Sequence, residues 1–335
     1  MAKYDLAVVV ARFQPVQNSH CVLLEHALAQ AHRALALVGS SDAARTPKQP
    51  WSYAERAEMI AAALGPAASR VTTLPLRDHL YNAHRWRAET QAQVARVAGD
   101  AQSVALFCAA HDARAFPQWA QIVIDLPPAP SAEAICEALF ADSDSGLRLI
   151  EDHTPEAVFD MISTFCRSGA FARLREEYRI IQAERGAWAQ APFPTIFVTV
   201  DAVVAHSGHV LLVERRHDPG RGLWALPGGF VEPHETVRDA AIRELREETM
   251  IEVSTSALLG HLRDAVVFDD PQRSLRGRTI THAFFFDFPS GDLPEVQGGD
   301  DAACARWVPM HEISGMRSRM FEDHFFILEH FLGLD

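Results

Sequence analysis

From Leu6 to Val10 the chain runs apolar without interruption, as a parallel strand buried on both faces requires. A turn-rich loop follows, then an amphipathic run from Cys21 to Ala31 and a second apolar run, Ala34 to Val38. Strand, helix and strand in that order predict a βαβ unit. The alternation continues through "YAERAEMIAAAL", "RVTTLPL", "ETQAQVARVA" and "SVALFCAA", so residues 1–150 read as an α/β domain with a parallel, Rossmann-like sheet. Ligands of such sheets sit beyond the strand C-termini, here near Ala11 to His20 and Gly39 to Arg45. From Pro155 to Trp188 the period is helical, and two prolines in "AQAPFPT" break it. A helical connector over 151–191 and a second domain over 192–335 are therefore expected. In that domain "TIFVTVDAVVAH", "HVLLVERR", "THAFFFDF" and "ARWVPM" read as strands, with one central and one terminal helix. The pattern is α+β, a mixed sheet sandwiched by few helices.

Composition adds limits. At 335 residues the chain is long enough for two cores, and 48% hydrophobic with 22% charged residues is ordinary for a soluble globular protein. A formal net charge of -13 gives no global field for nucleic acid or anionic lipid, so phosphate must be held by local basic groups, backbone amides or metal. Small nucleotides remain as partners. Five cysteines at 21, 108, 136, 166 and 304 form no close pair, which suits neither a disulfide framework nor a zinc site and predicts a cytoplasmic setting. No apolar stretch is long enough for a secretory signal or a membrane helix. The oligomeric state, including a homo-oligomer, is left open.

Chemistry concentrates in "GGFVEPHETVRDAAIRELREETMIEV", residues 228–253. On a helix, Ala240, Ala241 and Leu245 supply a small apolar face, while Glu244, Glu247 and Glu248, at i, i+3 and i+4, share another. Three like charges on one face repel unless a cation sits among them. Oxygen-only ligands suit Mg²⁺ or Mn²⁺, and the glycine turn brings the backbone of Gly228 toward the same place.

Gly229, Glu235, Arg243, Glu244, Leu245, Glu247, Glu248 and Ile251 match the Nudix box position for position, so this segment resembles that of Nudix hydrolases. Met250 departs, standing where the pattern usually has glycine. The resemblance implies a diphosphate hydrolase in which Glu244, Glu247 and Glu248 hold Mg²⁺ and Arg243 orients a box carboxylate, Glu235. For the general base it offers the box itself or a later acidic loop, where Glu295, Asp300 and Asp301 stand; Asp301 is the expectation. Arg273, Arg276 and Arg278 alternate with small residues and are expected to clamp phosphate. Together with "APFPTIFVTVDAVV" and "GGDDAACARWVP", this stretch resembles the Nudix half of the bifunctional NMN adenylyltransferase/Nudix proteins, which implies ADP-ribose as substrate and AMP and ribose 5-phosphate as products.

The first half resembles the adenylyltransferase half of the same family. Its "ARFQPVQNSH" keeps Arg12, Phe13, Gln14, Pro15 and His20 of a nucleotidyltransferase loop, but Ala11 replaces a glycine, Gln17 a histidine and Ser19 a second glycine. Trp86 corresponds to an aromatic able to stack on a nicotinamide ring, or packs in the core. At the second phosphate-binding turn Ser131 remains, while Glu133 replaces threonine and Cys136 arginine. A neutral amide cannot serve as a protonated donor, and a carboxylate repels the triphosphate it would face. A nucleotidyltransferase-like fold that has lost its transfer chemistry is therefore expected. A fully bifunctional enzyme and a first domain that only binds nucleotide remain as alternatives.

Overall fold

The computed structural model describes residues 2–101, 103–109, 116–126 and 128–334. The chain divides into two compact units, Met1–Glu176 and Glu177–Asp335, and the division falls inside one long helix within the expected connector.

The first unit contains β1 (Tyr4–Ala11), α1 (Asn18–Gln30), β2 (Ala31–Val38), α2 (Tyr53–Leu64), β3 (Val71–Pro75), α3 (Ala83–Ala98), β4 (Val104–Cys108) and β5 (Ala120–Val123). Helices α4 (Ala132–Ala141), α5 (Ser143–His153) and α6 (Glu156–Phe165) follow, and α7 (Gly169–Trp188) carries the division. The sheet order is β3-β2-β1-β4-β5 and every pairing is parallel. The continuous apolar runs explain this: Leu6, Val8, Leu35, Leu37 and Leu106 are buried in one cluster with α3 residues Val94 and Ala98. The order reverses beside β1, so the β1–α1 turn opens at the sheet's C-terminal edge, where ligands of such folds sit.

The second unit contains β6 (Ile196–His206), β7 (His209–Arg215), β8 (Trp224–Ala225), β9 (Gly228–Phe230), α8 (Val237–Thr249), α9 (Thr255–His261), β10 (Leu262–Phe268), β11 (Arg278–Phe288), β12 (Ala302–Pro309), α10 (Met310–Ile313) and α11 (His324–Leu332). Its sheet runs β10-β11-β6-β7-β12, with β6 and β11 parallel and the other neighbours antiparallel. Strands β6 and β7 pair only at their hairpin end, Ala205 with Val210 and His206 with His209. Beyond it they part. Short β9 then takes β6, Thr199 opposite Phe230 and Asp201 opposite Gly228, while β8 takes β7. The segment 224–230 thus lines the opening between them.

Helix α8 lies over this sheet because its period is right for it. Ala240, Ala241, Ile242 and Leu245 pack into a cluster with Val200, Ala202, Val204, Phe284 and Phe286. Thr236 caps its N-terminus, its hydroxyl accepting the Asp239 N–H at 3.2 Å. At the other end Met250 adopts φ 53° and ψ 22°, and its N–H reaches Arg246 O at 2.8 Å. The left-handed helix exit is retained even though its residue is not glycine. Among the described residues no helix is long and apolar enough to cross a membrane.

Candidate active site

With the apolar stripe of α8 fixed against the sheet, its acidic stripe lies against the Gly228–Gly229 turn. Glu248 is 6% exposed and its Oε2 accepts the Gly228 N–H at 3.0 Å. A Cβ at Gly229 would stand 2.5 Å from Glu244 Oε1, and one at Gly228 2.1 Å from Val200 O. Glycine is needed at both positions because strand backbone and carboxylates approach too closely for any side chain.

Arg243 gathers the remaining acids. Its Nε and Nη2 donate to the two oxygens of Glu235 at 3.0 and 2.6 Å, and Nη1 donates to Glu244 at 2.8 Å and Glu247 at 2.9 Å. These bonds hold Glu235 below the usual carboxylate range. The opposite holds deeper in. Burial raises Glu244, with Glu247 and Asp300 adding to it, and burial pushes Glu248 up to about 8 against the Gly228 N–H. Two carboxyls that resist ionisation, beside a third, form a donor set made only of oxygen, which suits a hard divalent cation. Among the described residues no three His, Cys, Asp or Glu side chains are already arranged to hold a metal. The reason is visible: Glu244 and Glu247 turn to Arg243 and Glu248 to backbone. The set fits Mg²⁺ or Mn²⁺ in its chemistry, and rotation of flexible carboxylates is what binding would require.

Beside the Gly228–Gly229 turn a polar cavity opens, lined among others by Asp201, Arg215, Glu248, Arg273, Arg276, Asp301, Glu322 and His324. Arg215 lies 4.1 Å from the Phe321 ring centre and donates its Nε to Pro219 O. The Arg276 guanidinium lies over both Phe230 and Phe321, at 5.3 and 5.9 Å, and its buried Nε has no hydrogen-bond partner. Glu322 stands at φ 43°, a conformation L side chains seldom take, with its carboxyl raised by burial and accepting the Ser274 hydroxyl at 2.7 Å. His324 is held neutral, its pKa driven to about 3 by burial, and its Nδ1 accepts the Leu226 N–H at 2.9 Å. Asp201, also raised by burial, accepts the Thr281 hydroxyl at 2.6 Å. Buried cations and acids with unspent hydrogen-bonding capacity are what a charged, polyhydroxylated ligand needs.

The three expected clamp residues differ in where they sit and in what they bond. Arg273 is 6% exposed and donates Nε and Nη2 to Asp323, both at 2.8 Å, so its planar fork is filled by a partner fifty residues away. Arg278 turns its Nη1 to the Asp269 carbonyl at 2.6 Å, outside the cavity lining. Arg273 and Arg276 both line the cavity, and of these two Arg276 keeps a buried Nε without a partner. Asp301 reaches the cavity lining with a largely exposed carboxylate, 3.9 Å from His217 Nε2.

In the first unit the turn after β1 is held by its own groups. The Gln17 amide donates to Pro130 O at 3.2 Å and accepts from Ser19, and the Gln17 N–H donates to His20 Nδ1 at 3.0 Å. His20 packs on Phe13, ring centres 4.8 Å apart, and burial lowers its pKa to about 4. Phe13 is buried at φ 52°, while Arg12 is exposed. Trp86 is half-buried against Phe116, at 5.5 Å, in the core cluster. Ser131 caps α4, accepting the Ala134 N–H, and the exposed Glu133 sits in that helix's first turn. Cys136 is 2% exposed and faces the core, its thiol pushed up to about 12 by burial. Gln14 Oε1, Ser40 Oγ and Trp51 Nε1 are buried without partners.

A NUDIX domain model matches residues 195–331 and a cytidylyltransferase-like model matches residues 8–103. The crystal structure of a bifunctional NMN adenylyltransferase/ADP ribose pyrophosphatase from Francisella tularensis is similar at TM-score 0.90 and 32% identity, over 98% of this chain and 99% of that one. A second crystal structure of that kind from the same organism, complexed with AMP and a manganese ion, gives 0.89 and 31% over the same shares. The ADP-ribose pyrophosphatase of Methanocaldococcus jannaschii is 37% identical over 116 residues, which is 35% of this chain and 63% of the relative's length.

Proposed function

This chain belongs to the family of bifunctional NMN adenylyltransferase/Nudix hydrolase proteins, and from that premise we propose that its second unit hydrolyses the diphosphate of ADP-ribose or a related nucleoside diphosphate derivative, giving AMP and a sugar phosphate, while its first unit no longer transfers an adenylyl group. The carrying observation is the meeting of the buried Glu248 carboxylate with Arg215 and Arg276 around one cavity. Glu244, Glu247, Glu248 and the backbone of Gly228 are the residues to hold Mg²⁺ or Mn²⁺. When bound, such an ion neutralises diphosphate charge and acidifies water. Arg276 and Arg215 hold the diphosphate oxygens, Arg243 keeps Glu235 and the acidic stripe oriented, and Asp301 accepts the proton of the attacking water. Water oxygen bonds to one phosphorus as the bridging P–O bond breaks, leaving two phosphomonoesters.

For the first unit, the Gln17 amide bound to Pro130 and the Glu133 carboxylate in the first turn of α4 support loss of transfer, because both occupy places where phosphate charge would need answering. A second reading, a unit that binds nucleotide without transferring, is favoured by the unpartnered Gln14, Ser40 and Trp51 atoms at the sheet's open edge. The setting we infer is the cytoplasm, since none of the five cysteines is in a disulfide, with a small nucleotide as partner and neither nucleic acid nor membrane.

The test is direct. Incubated with Mg²⁺ and equal ADP-ribose or NAD, the protein is expected to release AMP faster from ADP-ribose; comparable or preferential NAD cleavage overturns the substrate reading.

A further inference from the structure

Glu177, on α7, is the first residue of the second unit and is 7% exposed. Glutamate is seldom buried this far, because leaving water is costly unless strong hydrogen bonds replace those lost. It stands outside the cavity lining, yet its Oε1 accepts the Gly220 N–H at 3.1 Å. Gly220 belongs to the loop between β7 and β8, which is closed on itself. The Arg215 N–H donates to Leu223 O at 2.9 Å, the Gly222 N–H to Arg215 O at 2.9 Å and the Leu223 N–H to Gly220 O at 3.0 Å. The loop also lies flush on Phe321, since a Cβ at Gly220 would overlap that ring.

The Pro219 carbonyl accepts Arg215 Nε at 2.9 Å, and it belongs to the same peptide group as the Gly220 N–H. One planar group therefore carries both bonds, with Glu177 on its N–H and Arg215 on its C=O. Fixing the N–H fixes the carbonyl, because the group is rigid. A carboxylate on the N–H also polarises the group and strengthens its carbonyl as an acceptor. Arg215 needs such a hold. Burial and the nearby Arg276 both lower its pKa, so the bare guanidinium is repelled from the place where it would serve. With Nε committed, its two terminal nitrogens make no hydrogen bond among the described residues. We propose that Glu177 is a positioning residue for substrate binding: through the Pro219–Gly220 peptide it holds the Arg215 guanidinium at the cavity, terminal nitrogens available to the diphosphate. The proposal rests on the hydrolase reading of that cavity.

The experiment uses the full-length protein with Mg²⁺. It follows ADP-ribose hydrolysis and, by calorimetry, binding of the ADP-ribose analogue whose bridging oxygen is replaced by methylene and cannot be cleaved there. Glu177→Ala is expected to raise KM and the analogue Kd roughly tenfold, with kcat within about threefold. Glu177→Gln keeps an oxygen able to accept the Gly220 N–H and should hold both constants within about threefold of the parent. In an Arg215→Ala background, Glu177→Ala should add less than about twofold, because both changes act through one bond. Full additivity of the two, or a fall in kcat with KM unchanged, overturns the proposal and makes Glu177 a packing residue. Unaltered KM and Kd in Glu177→Ala overturn it while leaving the hydrolase reading standing. Weaker analogue binding that is rescued by Glu177→Gln and absent in the Arg215→Ala background, in a protein that cleaves no nucleoside diphosphate, sustains the positioning role and overturns the hydrolase reading. Should Glu177→Ala not fold, Glu177→Asp, whose carboxylate stops one methylene short, is read by the same ratios.

Discussion

In the first unit the fully buried Arg56 donates to four backbone carbonyls, those of Arg12, Gly39, Ser40 and Ser52, and Arg45 is paired with Glu55 at 2.7 Å. In the second unit Arg276 keeps an unpartnered buried nitrogen and Arg215 donates its Nε to a single loop carbonyl. Arginine in the first case staples the loops around the strand C-termini; in the second it lines a cavity beside acids. A guanidinium has five donors in a fixed fork, and where backbone takes most of them little remains for phosphate. The comparison teaches the difference between guanidinium donors already taken by backbone carbonyls and one left with a buried nitrogen available beside acids.

The largest expected effect tests the second half of that contrast. Glu248→Gln and Glu247→Gln should each lower kcat for diphosphate hydrolysis by roughly 100-fold or more, measured at saturating Mg²⁺. Neither should reduce the thermal midpoint, because burial and the nearby Glu244 and Asp301 already disfavour a charged Glu248, and Glu247 is exposed. Retained turnover in both variants would break the assignment of metal-holding residues.

The next effect tests the first half. With NMN, ATP and Mg²⁺ the protein should form no NAD above the background of a His20→Ala variant. Several groups that act on one phosphate chain are altered together, and such losses leave little residual rate. NAD formation that disappears on His20→Ala would place the chain with the fully bifunctional enzymes, and the contrast between committed and available arginines would fall with it.

Much of this was legible from periodicity. The apolar runs of β1 and β2 and the i, i+3, i+4 carboxylates of α8 are local patterns, and local patterns survive folding when one face has a sheet to bury it. What escaped was assembled by topology. Asp201, Arg215, Glu322 and His324 come from β6, β7 and the approach to α11, each a single residue with no spacing to announce it. Arg273 reaches the same cavity as Arg276, as their adjacency suggests, but its pairing with Asp323 arises only once the chain is folded.

A pH profile sharpens the comparison further, because each unit holds one neutral buried histidine at its candidate site. Burial lowers His20 to about 4 and His324 to about 3. Both folded values lie below the ordinary 6.5, so the unfolded chain binds the protons first. Their contribution is complete above pH 6.5 and is lost as pH falls toward those folded values. Glu89 behaves differently: hydrogen bonds from His79 and Arg77 outweigh burial and hold it at about 2, so its contribution persists until pH drops below about 4.5. The raised Glu248 carboxyl works the other way over this window, so the histidine effect is read by difference: relative to the parent protein, His20→Gln and His324→Gln should each lose less stability between pH 6.5 and 5. Variant and parent profiles that run parallel down to pH 5 would show that neither ring is held neutral.

The smallest expected effect concerns the exit of α8, which carries the carboxylates and so sets how the second unit presents them. Met250 is 58% exposed at φ 53°, and its side chain fills no core position. For a residue with a Cβ the left-handed conformation costs roughly 1 kcal/mol, and glycine removes that cost. Glycine also gives the unfolded chain more freedom, which offsets part of the gain. Met250→Gly should raise stability by about 0.5 kcal/mol, read as a rise of roughly 1 to 2 °C in the midpoint of the second unit. Hydrolysis should not change, since the Met250 N–H bond to Arg246 is made by backbone and the carboxylates lie a turn earlier. A loss of stability would mean that the Met250 side chain, whose sulfur lies close to where a Cβ on Gly299 would stand, anchors the acidic loop carrying Asp301. In that case a residue outside the metal-holding set would be supporting the site from the loop side.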